Sequence, residues 1–192
     1  MSLNVTVIYG SVRAGRQGIK AARFVERQMR GRGHEVTLVD PLEAGLPLLD
    51  RMYKEYAGGA APEPLERLAT LYRATDAFVI VTGEYNHSIP PALSNLLDHF
   101  LEEYFYRPSG IVSYSAGAFG GVRAVMQMRA MLGELGMASV PSTFPVPKVG
   151  AFADDGTPPD PSFEKRFGRF ATELEWYAEA LRAQRAKGLP AS

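Results

Sequence analysis

The sequence contains no cysteine in 192 residues and only three histidines, His34, His87 and His99. The first absence excludes disulfides, thiol catalysis and thiolate metal sites. The second, with no paired ligand spacing, leaves no pattern for a structural metal. Charge of one sign is lacking as well: 21 Lys and Arg balance 21 Asp and Glu, and the basic residues are scattered. That argues against a nucleic-acid surface and against an anionic membrane surface. No apolar run is long enough to span a bilayer, and Met1-Ser2-Leu3 leads straight into a strand-like run, leaving no room for a signal peptide. The expectation is a cytoplasmic protein with neither membrane nor nucleic-acid partners. It should form one domain over residues 1–192: a core over 1–149, a loop over 150–160 and a C-terminal helix over 161–186.

What the chain does have is a run of β-branched residues (Val5, Val7, Ile8) that stops at Gly10. A loop of glycine, hydroxyl and arginine follows, through Ser11, Arg13, Gly15, Arg16 and Gly18. From Ile19 the apolar residues Ile19, Ala22, Val25 and Met29 recur at helical spacing. A strand feeding a helix through such a loop gathers backbone N–H groups and the positive end of the helix dipole at one point, which suits a phosphate. Two familiar phosphate loops fit poorly. The dinucleotide spacing G-x-G-x-x-G is absent, and Arg16-Gln17 stand where a nucleotide P-loop needs Lys and Ser or Thr. A metal-free phosphate monoester held by Ser11, Arg13 and the amides near Gly18 remains, against the plainer alternative of a tight turn with a solvated arginine.

Residues 35–39 read as a second strand ending at Asp40, which is expected to be a loop residue rather than a ribose ligand. The connection over residues 41–62 holds three prolines and a Gly58-Gly59 pair, and its second half, from Met52 to Ala61, reads as a mobile lid or partner contact. A helix opening at Pro64 precedes the near-continuous apolar run Ala77-Phe78-Val79-Ile80-Val81, a central parallel strand covered on both faces. Its end carries Glu84-Tyr85-Asn86 before helix-opening prolines. The next helix, from Ala92, ends in Tyr104, Phe105 and Tyr106, more aromatic surface than one face requires. A fourth strand from Gly110 to Tyr114 leads into the small-residue loop Ser115-Ala116-Gly117, where backbone can approach a flat ligand. A methionine-rich helix from Val122 follows, then a short strand over residues 138–140 and a loop from Pro141 to Pro161. The last helix shows Phe163, Phe167, Phe170, Leu174, Tyr177 and Leu181 at a clean core-facing spacing. Strands alternating with helices imply a doubly wound parallel α/β sheet of about five strands, with the loops after strands one, three and four meeting at one edge. Ser115 is no hydrolase nucleophile, because Ser113 occupies the first glycine position of G-x-S-x-G.

Three segments together resemble the NAD(P)H-dependent FMN reductase family of the flavodoxin-like fold. They are Gly10-Ser11-Val12-Arg13-Ala14-Gly15-Arg16-Gln17-Gly18, Glu84-Tyr85-Asn86-His87-Ser88-Ile89-Pro90, and Ser113-Tyr114 through Gly120-Gly121-Val122-Arg123-Ala124, with Leu46-Pro47-Leu48-Leu49-Asp50 in support. The resemblance implies FMN with its phosphate on Ser11, Arg13 and the Gln17, Gly18 and Ile19 amides. It places the isoalloxazine ring against Glu84, Tyr85 and Asn86, largely through backbone, and the ring's pyrimidine edge against Ser115, Ala116 and Gly117. It implies NADPH or NADH as reductant, a small-molecule electron acceptor (a quinone, azo compound or free flavin), and hydride exchange through the flavin with no catalytic side chain and no metal. The chain departs from the family at Gly83, where a proline is usual, and at Ala118-Phe119. A flavodoxin-like electron carrier and a non-flavin binding protein on the same fold are the alternatives. The apolar surplus on the helix ending at Tyr106 and on the methionine-rich helix implies a homodimer or homotetramer.

Overall fold

In the computed structural model, which describes residues 1–190, the run Asn4–Tyr9 is strand β1 and Ile19–Gly31 is helix α1. Strand β2 is Glu35–Val39, followed by the four-residue helix α2, Pro41–Ala44, and by α3, Glu63–Ala74. Strand β3 (Ala77–Thr82), α4 (Pro91–Asp98), β4 (Pro108–Tyr114), α5 (Val122–Glu134), β5 (Ala138–Val146) and α6 (Ser162–Arg185) complete the order. The five strands form one all-parallel sheet in the order β2-β1-β3-β4-β5. The central strands β3 and β4 are buried along their whole length, as a sheet covered on both faces requires. Alternate residues face opposite layers. Val7, Val79 and Val112 pack under α1 and α6, while Ile8, Ile80 and Ile111 pack under α3, α4 and α5. The flavodoxin-like five-stranded expectation therefore holds.

The α6 stripe behaves as its spacing predicts: Phe167, Phe170 and Leu174 are buried in one cluster with Phe24 of the neighbouring α1 and Phe144 of β5 below. Asp76, at the entrance to β3, takes Arg182 and Arg185 at 3.2 and 3.3 Å and ties down the end of the helix.

Three expectations need correction. The loop expected from Pro141 begins later, because β5 runs on to Val146. It is an edge strand, so Pro141 and Pro145 need donate no hydrogen bond to a further neighbour, and a register irregularity between Ser109 and Ile111 accommodates the first of them. The helix from Ala92 stops at Asp98, and Tyr104 turns inward to pack on Tyr72, Phe78 and Phe100. Much of the aromatic surplus is thus core. The segment from Met52 to Ala61 is pinned rather than free. Tyr53 N–H donates to the His99 carbonyl at 2.8 Å, Tyr53 Oη donates to Glu66 at 2.8 Å, and Ala61 N–H donates to the same carboxylate at 3.1 Å.

Candidate functional site: a cleft at the carboxyl edge of the sheet

The first wall of the cleft is the loop between β1 and α1. Gly18 caps α1 in helical conformation with no side-chain cap, so the first N–H groups of the helix have nothing in front of them. The N–H groups of Ser11, Val12 and residues 14–19 have no protein acceptor among the described residues, and Arg13 N–H has only the Ser11 hydroxyl at 3.4 Å. Such a concentration of unspent amides at a helix N-terminus is an anion cradle. Arg13 is exposed, has no carboxylate partner among the described residues, and sits 5.8 Å from the Tyr85 ring centroid. Arg16 is spent elsewhere. Its guanidinium donates to the Ser11 carbonyl at 2.8 Å and to both oxygens of Asp40, and lies 5.3 Å from the Tyr9 ring centroid. Asp40 is accordingly more than the loop residue expected from the sequence. It is buried, caps α2 by accepting from Leu42 N–H at 3.0 Å, and fixes Arg16, which keeps it away from any ribose.

The second wall follows β3. Tyr85 and Ser88 exchange N–H···O bonds of 3.0 and 2.9 Å across a tight turn whose central residues, Asn86 and His87, both have positive φ, 52° and 64°. Positive φ at both positions makes the mirror-image turn that closes a two-residue hairpin. The turn delivers the Tyr85 hydroxyl to 3.0 Å from Ser11 Oγ, linking the two loops. Glu84 faces the other way: its carboxylate accepts from Arg123 N–H at 2.9 Å and from Arg123 Nη1 at 3.3 Å, capping the first turn of α5. Only the backbone of Glu84 is left for a ligand.

The third wall follows β4. Ser115 Oγ donates to the Gly117 carbonyl and accepts from Gly120 N–H, both at 2.9 Å, so its hydroxyl is consumed in shaping its own loop. Lys148 N–H and Val149 N–H close on the same loop at 2.9 and 3.0 Å, which brings Val149 to the rim. Phe119 stands 68% exposed with the Arg123 guanidinium 5.0 Å from its ring centroid.

These walls enclose a cleft of about 370 Å³, within the range of small-molecule sites. Of the residues singled out from the sequence, Ser11, Arg13, Gln17, Gly18, Glu84, Tyr85, Ser115 and Ala116 line it; Ile19, Asn86 and Gly117 stand outside the lining. Two contributors escaped the sequence reading of the site. Val149 arrives through the extended β5, and Tyr114 is buried between two loops. A Cβ at Gly18 would come 2.0 Å from Tyr114 Cζ, and one at Gly83 would come 3.0 Å from Tyr114 Oη. Both glycines therefore make room for one phenol ring. That pairing is invisible in a linear sequence, where Tyr114 reads as the last core residue of a strand.

Comparison with known proteins agrees with this geometry. A family model described as NADPH-dependent FMN reductase matches residues 3–151. A quinone reductase of Escherichia coli K12 is 32% identical over 134 residues, covering 68% of this chain and 69% of that protein. An NADPH azoreductase of a Bacillus strain is 26% identical over 140 residues, covering 72% and 74%. Among solved structures, the NAD(P)H:acceptor oxidoreductase FerB of Paracoccus denitrificans superposes with a TM-score of 0.70 at 22% identity, covering 94% of this chain and 98% of its own. A Pseudomonas aeruginosa flavodoxin variant superposes at 0.57 and 19%, covering 90% and 99%. The chain belongs to the NADPH-dependent FMN reductase family, a family of oxidoreductases with FMN as cofactor and NAD(P)H as reductant.

Proposed function

We propose that the cleft binds FMN and that the protein passes reducing equivalents from NAD(P)H to a small acceptor such as a quinone, an azo compound or a free flavin. The observation that carries this reading is the row of unspent amides over residues 11–19 facing Tyr85 and the Ser115-Ala116 backbone across one cleft. The residues fit the group. A phosphate is a multiple acceptor, and the first wall offers it the unspent N–H groups of residues 14–19 and the Arg13 guanidinium. Ser11, Arg13 and the Gln17, Gly18 and Ile19 amides hold the phosphate in this reading. The Glu84-Tyr85-Asn86 turn and the Ser115-Ala116-Gly117 loop flank the ring. Asn86 acts by holding the turn, and Gly117 by bracing its loop through its carbonyl, which accepts from Lys148.

FMN supplies the hydride chemistry when bound, so the protein needs no side-chain acid or base for it. The chain's own contribution is placement. Ser11 and Tyr85 tie the phosphate loop to the ring loop, Glu84 ties the ring loop to α5 through Arg123, and the Arg123 guanidinium in turn lies over the Phe119 ring. In this reading the exchange is two-electron and runs in alternating half-reactions, with donor and acceptor entering the cleft in turn. The relatives named quinone reductase and azoreductase support acceptors of that class. A one-electron carrier is the competing reading, supported by the flavodoxin likeness; the balanced charge disfavours it, since the chain carries no net negative charge to steer a protein partner. The exposed side chains Phe119, Val122 and Met126 form the apolar surface that we assign to a homodimer or homotetramer contact near the cleft. No helix among the described residues is long and apolar enough to cross a membrane, and use of NAD(P)H fits a cytoplasmic setting. Titration of the apoprotein with FMN, followed by flavin fluorescence, tests the site. Saturable one-to-one binding is expected, and no binding at micromolar FMN contradicts the reading.

A further inference from the structure

The phenol of Tyr114 is unexplained by packing alone. Its ring fills the space between Gly18 and Gly83, a task that phenylalanine would perform equally well. The hydroxyl is a different matter. Tyr114 is only 8% exposed, its hydroxyl has the Tyr9 and Ser11 hydroxyls as neighbours, and it lines the cleft. Directly behind it lies the hydroxyl of Tyr9, a fully buried residue, with the two ring centroids 6.1 Å apart. Tyr114, Tyr9, Ser11 and Tyr85 form a chain of hydroxyls, and such a chain leaves one O–H proton at its end without an acceptor inside it, a proton that Tyr114 can offer to the cleft.

The place of that hydroxyl defines the acceptor. Tyr114 Oη would lie 2.5 Å from a Cβ on Gly18, the residue that caps α1, and so it sits at the foot of the amide cradle. Facing the cleft beside it stand the unspent amides of residues 14–19 and the Arg13 guanidinium, which are donors. Burial raises the pKa of both Tyr114 and Tyr9, so each keeps its proton through neutral pH. The group that satisfies all these donors at once carries several oxygen lone pairs and negative charge.

We propose that Tyr114 is a cofactor-binding residue whose phenol O–H donates to the phosphate of FMN at the N-terminus of α1. This rests on the FMN reading above and extends it to a donor delivered from β4 rather than from the phosphate loop. It gives Gly18 and Gly83 one shared purpose, to let a tyrosine from a neighbouring strand reach the anion from below. It also makes recognition specific for the phosphate, since the donor lies on the cradle side of the cleft.

The test compares FMN with riboflavin, which lacks the phosphate, on the full-length protein and its Tyr114→Phe variant. The ring is kept, so the apoprotein is expected to melt as the wild type does. A hydrogen bond to a charged acceptor predicts that FMN affinity falls by about ten- to a hundredfold, with riboflavin affinity changed by less than about twofold. The ³¹P resonance of bound FMN should move as well, a readout that packing changes remote from the phosphate would leave alone. An equal loss for both flavins, or no loss for either, overturns the role of Tyr114. Wild-type protein that binds neither flavin contradicts the FMN reading itself and is told apart by that result.

Discussion

The guanidinium of Arg16 and the carboxylate of Asp40 form a two-point ion pair, with Nη1 2.6 Å from Oδ1, joining the phosphate loop to the cap of α2. Both groups are largely withdrawn from water, with 18% and 5% of their side-chain surface exposed. Removing the carboxylate strands a cation and uncaps α2 in one step. Asp40→Ala is expected to cost about 2–3 kcal/mol in denaturant unfolding, the combined scale of a charged hydrogen bond and a helix cap. The Arg16→Ala, Asp40→Ala double variant should recover part of that loss, because it leaves no lone charge behind. Simple addition of the two single effects would show that the pair is not coupled.

Arg13 is the cation left free at the cradle. Arg13→Ala should weaken FMN binding at least about tenfold, since a charge-assisted bond to phosphate is worth about 1.5–3 kcal/mol. Riboflavin binding should be nearly unaffected. An unchanged FMN dissociation constant would place the phosphate elsewhere.

Gly83 stands where the family usually has proline. Its φ is not positive and its N–H makes no loop hydrogen bond, so neither of these features bars proline. The Tyr114 ring opposes it, lying 3.0 to 3.3 Å from where a Cβ would go and unable to retreat toward Gly18. Gly83→Pro is therefore expected to bind FMN several-fold more weakly, and to forgo the gain of about 0.4–1 kcal/mol that proline brings at an unobstructed site. A melting temperature above that of the wild type would show that the ring yields.

Acid stability should depend on Glu175. Burial alone would raise its pKa, but hydrogen bonds from Arg32 and from His34 at 2.8 Å outweigh that and lower it. A carboxyl depressed in the folded state contributes stability above its unfolded pKa, about 4.3, and loses it as the pH falls through the lower folded value. Glu175→Gln should thus be less stable than the wild type near neutrality, and the gap should narrow below pH of about 4. A gap that is constant from pH 7 to 3 would contradict the assignment.

The sheet and its three ligand-facing loops were legible because each rests on local pattern. A β-branched run stops at Gly10, an unbroken apolar run stops at Thr82, and helical spacing resumes after each. What escaped depends on pairing across the fold. Arg16 and Asp40 are 24 residues apart, and nothing near either predicts that one will consume the other. Tyr104 reads as surplus until the chain bends after Asp98 and turns it onto Tyr72. The prolines of β5 look like loop residues because local propensity carries no knowledge of which strand lies at an edge. Tyr114 belongs to the same class, since its position gains meaning only with Gly18 and Gly83 around it.

The most direct test of the proposed function is the visible spectrum of the purified protein reconstituted with FMN, recorded before and after anaerobic addition of NADPH or NADH, then after addition of a quinone. The account predicts a yellow protein that the nicotinamide bleaches within the mixing time and that the quinone restores to yellow. A protein that takes up no FMN, or one that holds FMN but keeps its colour under both nicotinamides, would contradict it.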